Sequence, residues 1–371
     1  MYFKRMKIEQ ESPEEFGYGN IKYNLTESST TDKTMKDVGI VLPEDTLLCY
    51  GDHYGNEKLR ELLAKEYGVS KDNIIITVGA CMAVFTIYSA LLNPGDHVIV
   101  MHPNYPADID ITHSLGCNTE YYRLKQENGF KFDVDELASM IKPETKLVNI
   151  TYPHNPTGTV ISEADLRKIV KICEEKKIHI LVDETYGDLT VGPRTTPRAA
   201  SLSPYAISIE SLSKAIGVPG IRTGWIASGD DELIMKLIAA KEQICICGSV
   251  VDEECAYQVL SRREELMAPI KEDIAVKFAI VKEFMASQDV LDWVEPEGGV
   301  VCFPWIKPEI DLDVEEYHKV LNEKYGVFIG PGHWFDFDDR HFRVGYAWPS
   351  VEELKAGLQG LVDAVKDVRK N

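Results

Sequence analysis

The chain lacks any apolar run long enough to span a bilayer, which argues against a membrane-spanning helix. Its opening residues, Met1-Tyr2-Phe3-Lys4-Arg5-Met6-Lys7, pass into acidic ones without the apolar stretch of a secretory leader, so a cytoplasmic location is expected. Positive charge is scarce: 40 Lys plus Arg stand against 60 Asp plus Glu, a formal net charge of −20. Such a surface repels phosphate backbones and anionic lipid, and argues against nucleic-acid or membrane partners. Of the eight cysteines only Cys245 and Cys247 form a close pair, and no second Cys or His pair completes a zinc pattern. No metal or disulfide is expected, and the cysteines read as reduced thiols, most of them buried. Internal repeats and low-complexity tracts are also missing, which excludes a repeat array.

What the chain has is length and apolar content. Its 371 residues, 44% of them apolar, exceed what one core usually supports, so two lobes are expected. The first 45 or so residues are polar and irregular. Helix and strand signals then alternate. Glu57 to Tyr67 carries Leu59, Leu62, Leu63 and Tyr67 at helical spacing and stops at Gly68. Ala80 to Leu92 reads as a helix ended by Asn93-Pro94-Gly95-Asp96. Ser162 to Lys177 reads as a helix with Ser162 as N-cap and Asp165 three residues on. Strands are expected at 73–78, 97–101, 146–151, 178–183, 206–210 and 223–227. This alternation predicts an α/β fold with a mostly parallel sheet covered by helices on both faces. After Ser261 the pattern changes to long charged helices and then to Gly298-Gly299 and a strand-like 300–303. The expected division is a large part, residues 45–260, and a smaller α+β part from residues 1–44 and 261–371.

In open α/β sheets ligands bind beyond the carboxyl ends of the strands, so polar residues just after strands are the candidates. Ser211-Leu-Ser213-Lys214 follows one strand and leads through Gly217, Pro219 and Gly220 to Arg222. Asn155-Pro-Thr-Gly158 follows another and taken alone is a turn. Asp183 closes a third strand, with Tyr186 three residues later; alone it is a cap or an ion-pair partner. Tyr105 follows a fourth, and Gly79-Ala80 joins a strand to a helix start, where backbone N–H groups can meet an anion. Together they suit a pyridine ring with a phosphate arm. Such a ring needs an aromatic face, a carboxylate at its ring nitrogen, donors to its oxygen, a lysine for its aldehyde, and an anion cradle.

These motifs resemble the fold-type I pyridoxal-phosphate family, specifically class I/II aminotransferases, over about residues 47–347. The resemblance implies a seven-stranded sheet sandwiched by helices, the cofactor pyridoxal 5′-phosphate, and exchange of an amino group between an L-amino acid and a 2-oxo acid. It implies that Lys214 is the Schiff-base lysine and proton carrier, with Asp183 at the pyridinium. Asn155 and Tyr186 become donors to the phenolate oxygen, and Tyr105 the stacking aromatic. Ser211, Ser213, Arg222 and the backbone N–H groups of Ala80 and Cys81 become phosphate ligands. Arg343, in His341-Phe-Arg343-Val-Gly345, corresponds to the arginine that grips the substrate carboxylate. Tyr50 corresponds to the tyrosine that reaches the neighbouring subunit's phosphate, which implies a homodimer with shared sites.

Two departures stand out. Ala80, Cys81 and Met82 offer no hydroxyl where the family often has Ser or Thr, so backbone amides, Ser211, Ser213 and Arg222 carry more of the phosphate. The segment Asn24 to Thr30 differs from the usual Gly-rich entry; in the family it lies over the substrate, and Glu27 is a candidate partner for a cationic side chain. The stretches Tyr152-Pro-His154-Asn155-Pro156 and Gly299 to Pro304 are also similar to a subgroup that includes capreomycidine synthase. Pro153-His154-Asn155-Pro156 is shared with C–S β-lyases. A lyase or cyclase acting on an amino acid is therefore the alternative to transamination. A cofactor-binding sensor without activity is a further rival, opposed by the charge of −20 and by the presence of both Lys214 and Asp183.

Overall fold

Short β-branched runs buried on both faces make the centre of the molecule. The structure is a computed structural model that describes residues 2–190, 194 and 196–370. Seven strands form the main sheet: β1 Ile74–Thr77, β2 His97–His102, β3 Asn118–Arg123, β4 Thr145–Thr151, β5 His179–Asp183, β6 Ala206–Ser211 and β7 Gly224–Ser228. Their spatial order is β1-β7-β6-β5-β4-β2-β3. Neighbours are parallel except β7, which is antiparallel to both β1 and β6. Alternate side chains go to opposite faces, as the two-residue period requires. Val98, Val100, Leu147 and Leu181 bury on one side with helices α2 (Gly79–Leu91) and α5 (Asp231–Cys245). Ile99, Met101, Val148, Ile150, Ile180 and Val182 bury on the other with α4 (Glu163–Lys176). Fully burying each such side chain is worth roughly 1.5–3 kcal/mol, which explains the near-continuous apolar strands.

Local signals set the helix ends. Helix α1 (Glu57–Tyr67) is capped by Asn56, whose Oδ1 accepts from Leu59 N at 3.2 Å, and ends on Gly68 in the left-handed conformation. Helix α4 begins on Ser162, whose Oγ accepts from Asp165 N at 3.0 Å. Several elements were not expected, among them helix α5, strand β3 and helix α3 (Pro106–Leu115). Strand β3 lies at the sheet edge with only Tyr122 buried, so its sequence carries no buried pattern. Helix α3 begins directly after Tyr105.

The chain ends meet. Tyr23–Asn24 pairs in parallel with Val327–Phe328. Phe342–Gly345 pairs antiparallel with Val301–Cys302 and with Gly330–Pro331. Around these short strands pack α6 (Arg263–Ser287) and α7 (Val351–Val368), whose Leu354, Leu358, Leu361 and Val365 are buried. The stretch read as irregular holds two four-residue helices, Lys7–Gln10 and Pro13–Phe16.

Candidate active site

Strands β2, β4, β5 and β6 finish on one edge of the sheet, and β7, running the other way, begins there. Arg222 therefore arrives at the same edge as Asp183 and Lys214, from the residues that precede β7. A cavity of about 430 Å³ opens on this edge. Its lining includes Ala80, Cys81, Tyr105, Asn155, Asp183, Tyr186, Ser211, Ser213, Lys214, Arg222, Arg343 and Glu27. Tyr50 is the one expected residue that does not join them; it is 83% exposed.

Asp183 forms the floor. It is buried, and one carboxylate oxygen accepts from Thr185 N at 2.9 Å. Burial pushes its carboxyl up from the usual range, while the Thr185 bond and the Lys214 cation pull it back. Lys214 stands in a short helical turn, Leu212–Ala215, and its carbonyl accepts from Thr30 N at 3.0 Å.

An anion cradle lies beside them. The first N–H groups of α2 have no partner within the helix, and Ala80 and Cys81 face the cavity. Arg222 Nη1 donates to Ser213 Oγ at 3.2 Å and to Pro219 O at 2.7 Å. Gly79 has φ +72°, and a Cβ there would sit 2.7 Å from Arg222 Nη2. The turn is thus shaped so that backbone and guanidinium converge on a space that a side chain would fill.

The opposite wall is the guanidinium of Arg343, 3% exposed and over the Phe335 ring at 5.0 Å. Nη1 donates to Asn155 Oδ1 at 3.0 Å and Nη2 to Thr26 O at 2.6 Å, while Nε has no partner. Burial pulls this group down from its ordinary value, and Tyr186, Glu27, Tyr105 and Glu9 oppose that.

The N-terminal segment closes the cavity with residues not expected from the sequence. Glu9 accepts from Tyr105 OH at 3.1 Å. Glu11 accepts from Trp334 Nε1 at 2.8 Å. Tyr18 OH bonds to Glu14 Oε1 at 3.1 Å and Glu27 Oε1 at 3.0 Å. Burial raises the Glu27 carboxyl, and the nearby Lys214 cation lowers it. Ile8, Ser12 and Pro13 complete this wall, and Asp108, Thr151, Thr185 and Trp334 line the cavity elsewhere. Asp108, two residues into α3 from its proline, shares its buried face with Thr112 and carried no motif that marked it in the sequence.

The donor set fits a cofactor with an anionic arm, an aldehyde and a ring that carries positive charge. The cradle would take the arm, Lys214 the aldehyde, and buried Asp183 the ring charge. A doubly wound sheet with this edge chemistry is that of fold-type I pyridoxal-phosphate enzymes. The chain belongs to the aminotransferases of class I and II, enzymes dependent on pyridoxal 5′-phosphate: that family's model matches residues 16–361. Among known proteins it is similar to the tyrosine aminotransferase of Dictyostelium discoideum, 34% identical over 86% of this chain and 81% of the relative. It is also similar to capreomycidine synthase of Streptomyces vinaceus, 27% identical over 84% of this chain and 79% of the relative. A solved pyridoxal-phosphate-dependent aminotransferase from Streptococcus suis superposes with a TM-score of 0.90 at 27% identity, covering 100% of both chains.

Proposed function

We propose that this aminotransferase takes its amino group from an L-amino acid with a cationic side chain and passes it to a 2-oxo acid. The observation that carries the reading is the cavity itself. Lys214, Asp183 and the partly free guanidinium of Arg343 face one space, and Glu9, Glu14 and Glu27 line it with them.

Pyridoxal 5′-phosphate, when bound, supplies an aldehyde that exchanges amines and a ring that accepts electrons. Ala80, Cys81, Ser211, Ser213 and Arg222 would hold its phosphate. Tyr105 would form a face for the ring. Asp183 would keep the ring nitrogen protonated. Asn155 spends its Oδ1 on Arg343, which leaves its amide N–H groups to join Tyr186 as donors to the ring oxygen. Arg343 binds the substrate carboxylate through the N–H groups it does not spend on Asn155 and Thr26. Lys214 Nζ would then remove the proton from the substrate Cα and return it two atoms further along, on the carbon beyond the amino nitrogen. Glu27, with Glu14 beside it, takes the cationic side chain.

The same reading divides the chain into a cofactor-binding part, residues 45–260, and a smaller part from residues 1–44 and 261–371. It makes the enzyme a cytoplasmic homodimer in which Tyr50 reaches the partner's phosphate site. The outward apolar stretch of Leu47, Leu48 and Tyr50, 76%, 77% and 83% exposed, supports that interface.

The test is a visible spectrum of the purified enzyme with a panel of amino acids, arginine and lysine included, with and without pyruvate or 2-oxoglutarate. A cofactor band lost in Lys214→Ala, converted by a cationic donor and restored by an oxo acid, is the expected result. No band after adding the cofactor sinks the reading. The similarity to capreomycidine synthase favours a second reading, elimination or cyclisation with the same residues. It takes over if the amino acid is consumed without any oxo acid.

A further inference from the structure

Asp108 is a carboxyl group in the cavity for which the proposed chemistry has no use. It is 1% exposed. Its Oδ1 accepts from Asn149 Nδ2 at 2.8 Å, and the same Nδ2 reaches Tyr88 OH at 2.8 Å. Tyr88 OH in turn donates to the Asp108 carbonyl at 3.3 Å. Asp108 Oδ2 and Asn149 Oδ1 are buried without a hydrogen-bond partner.

No cation pairs with Asp108 among the described residues. Its electrostatic neighbours are all acids: Asp183 on β5, the Cys81 thiol and Tyr88 phenol on α2, and the Tyr105 phenol just before α3. A buried carboxylate with one side-chain donor, its own backbone N–H and no counter-ion is strongly disfavoured, whereas the protonated acid carries no charge and gains an O–H to donate. Burial, and after it the Asp183 charge, push the Asp108 carboxyl up to about 8.

We propose that Asp108 is a positioning residue kept as the neutral acid beside ionised Asp183, so that the cavity floor presents one negative charge to the cofactor's ring rather than two. The inference rests on the reading that Asp183 faces the ring nitrogen. In its neutral form Asp108 locks Asn149 and Tyr88 at the junction of α2, α3 and β4, and leaves the charge of Asp183 as the one that sets the protonation of the ring.

Asp108→Asn copies the shape and the neutrality of the acid; Asp108→Ala strands the Asn149 amide. Pyridoxal 5′-phosphate is titrated into each apoenzyme, and the pH dependence of the visible band is recorded for each holoenzyme. D108N is expected to keep cofactor affinity within about threefold and leave the band's titration unmoved, while D108A weakens affinity by about tenfold or more. Infrared spectra of the wild-type holoenzyme at pH 7 are expected to contain a carboxylic-acid carbonyl stretch that D108N removes. The proposal is overturned if D108N weakens the cofactor as much as D108A or shifts the band's titration, or if D108N removes no acid stretch. If Asp183→Asn leaves cofactor affinity unchanged, the underlying reading fails instead, whatever the Asp108 variants do.

Discussion

Replacing Arg343 probes the residue proposed to hold the substrate carboxylate. A guanidinium has five N–H donors. Two are spent on Asn155 Oδ1 at 3.0 Å and Thr26 O at 2.6 Å, and Nε–H is free. Two parallel bonds to a carboxylate are therefore still open to it. At about 1.5–3 kcal/mol for each charge-assisted bond, Arg343→Ala should cost roughly 3–6 kcal/mol, on the order of 10²–10⁴ in kcat/KM. Arg343→Lys keeps the charge but not the fork, and should lose one such bond, roughly 10–10²-fold. The assay follows the visible band in single turnovers with an amino acid and with the corresponding amine that lacks the carboxylate. Wild type should favour the amino acid strongly, and R343A should erase that preference while reacting with the amine much as wild type does. Equal losses for amino acid and amine would refute the reasoning, since a merely structural arginine would slow both.

Other perturbations test neighbouring parts. Glu27→Arg should move donor preference from cationic toward acidic side chains, read as a ratio of kcat/KM values; an unchanged ratio removes Glu27 from recognition. A Cβ on Gly345 would lie 1.7 Å from the Glu27 carbonyl oxygen, so Gly345→Ala should raise KM while cofactor affinity holds. His154 is buried between Thr157 Oγ1 at 2.7 Å and Pro103 O at 2.8 Å, and burial lowers its pKa from 6.5 to about 3. Between those values the unfolded chain takes up a proton that the folded one refuses. Its contribution is thus complete above about pH 6.5 and lost as pH falls, by about 3 kcal/mol at about pH 4.5. Denaturant midpoints should show that loss in wild type and a smaller one in His154→Gln.

Much of the sheet was legible because its strands are buried on both faces and read as apolar runs. The helices with clear ends, such as α1 between Asn56 and Gly68, were legible from their caps. Strand β3 was not, because an edge strand with one buried side chain has no apolar period to read. The cavity residues that follow strands could be found from position and chemistry, since each sits where a parallel sheet delivers its ligands. Glu9, Ser12 and Glu14 could not. They reach the cavity only because the chain start is carried there, with Tyr23–Asn24 pairing to Val327–Phe328, and no local pattern encodes that long-range contact. Asp108 was hidden for another reason: beside Asn149 it takes part in a polar knot whose members lie on separate elements.

Strand β7 runs against its neighbours, and that reversal has a consequence for how the enzyme can vary. The connection from β6 to β7, residues 212–223, carries Lys214 at one end and Arg222 at the other, and Arg222 is hydrogen-bonded back to Ser213 inside the same connection. The two anchors proposed for the cofactor, one for its aldehyde and one for its phosphate, are thus mounted on one bracket. A change that tilts the bracket displaces both anchors together, so grip on the phosphate and reach of the lysine are inherited as a unit. The clamp at Arg343 hangs instead on Asn155 and Thr26, 188 and 317 residues away in the chain. The clamp is thus tied to the proposed cofactor site through Asn155 and not through the bracket.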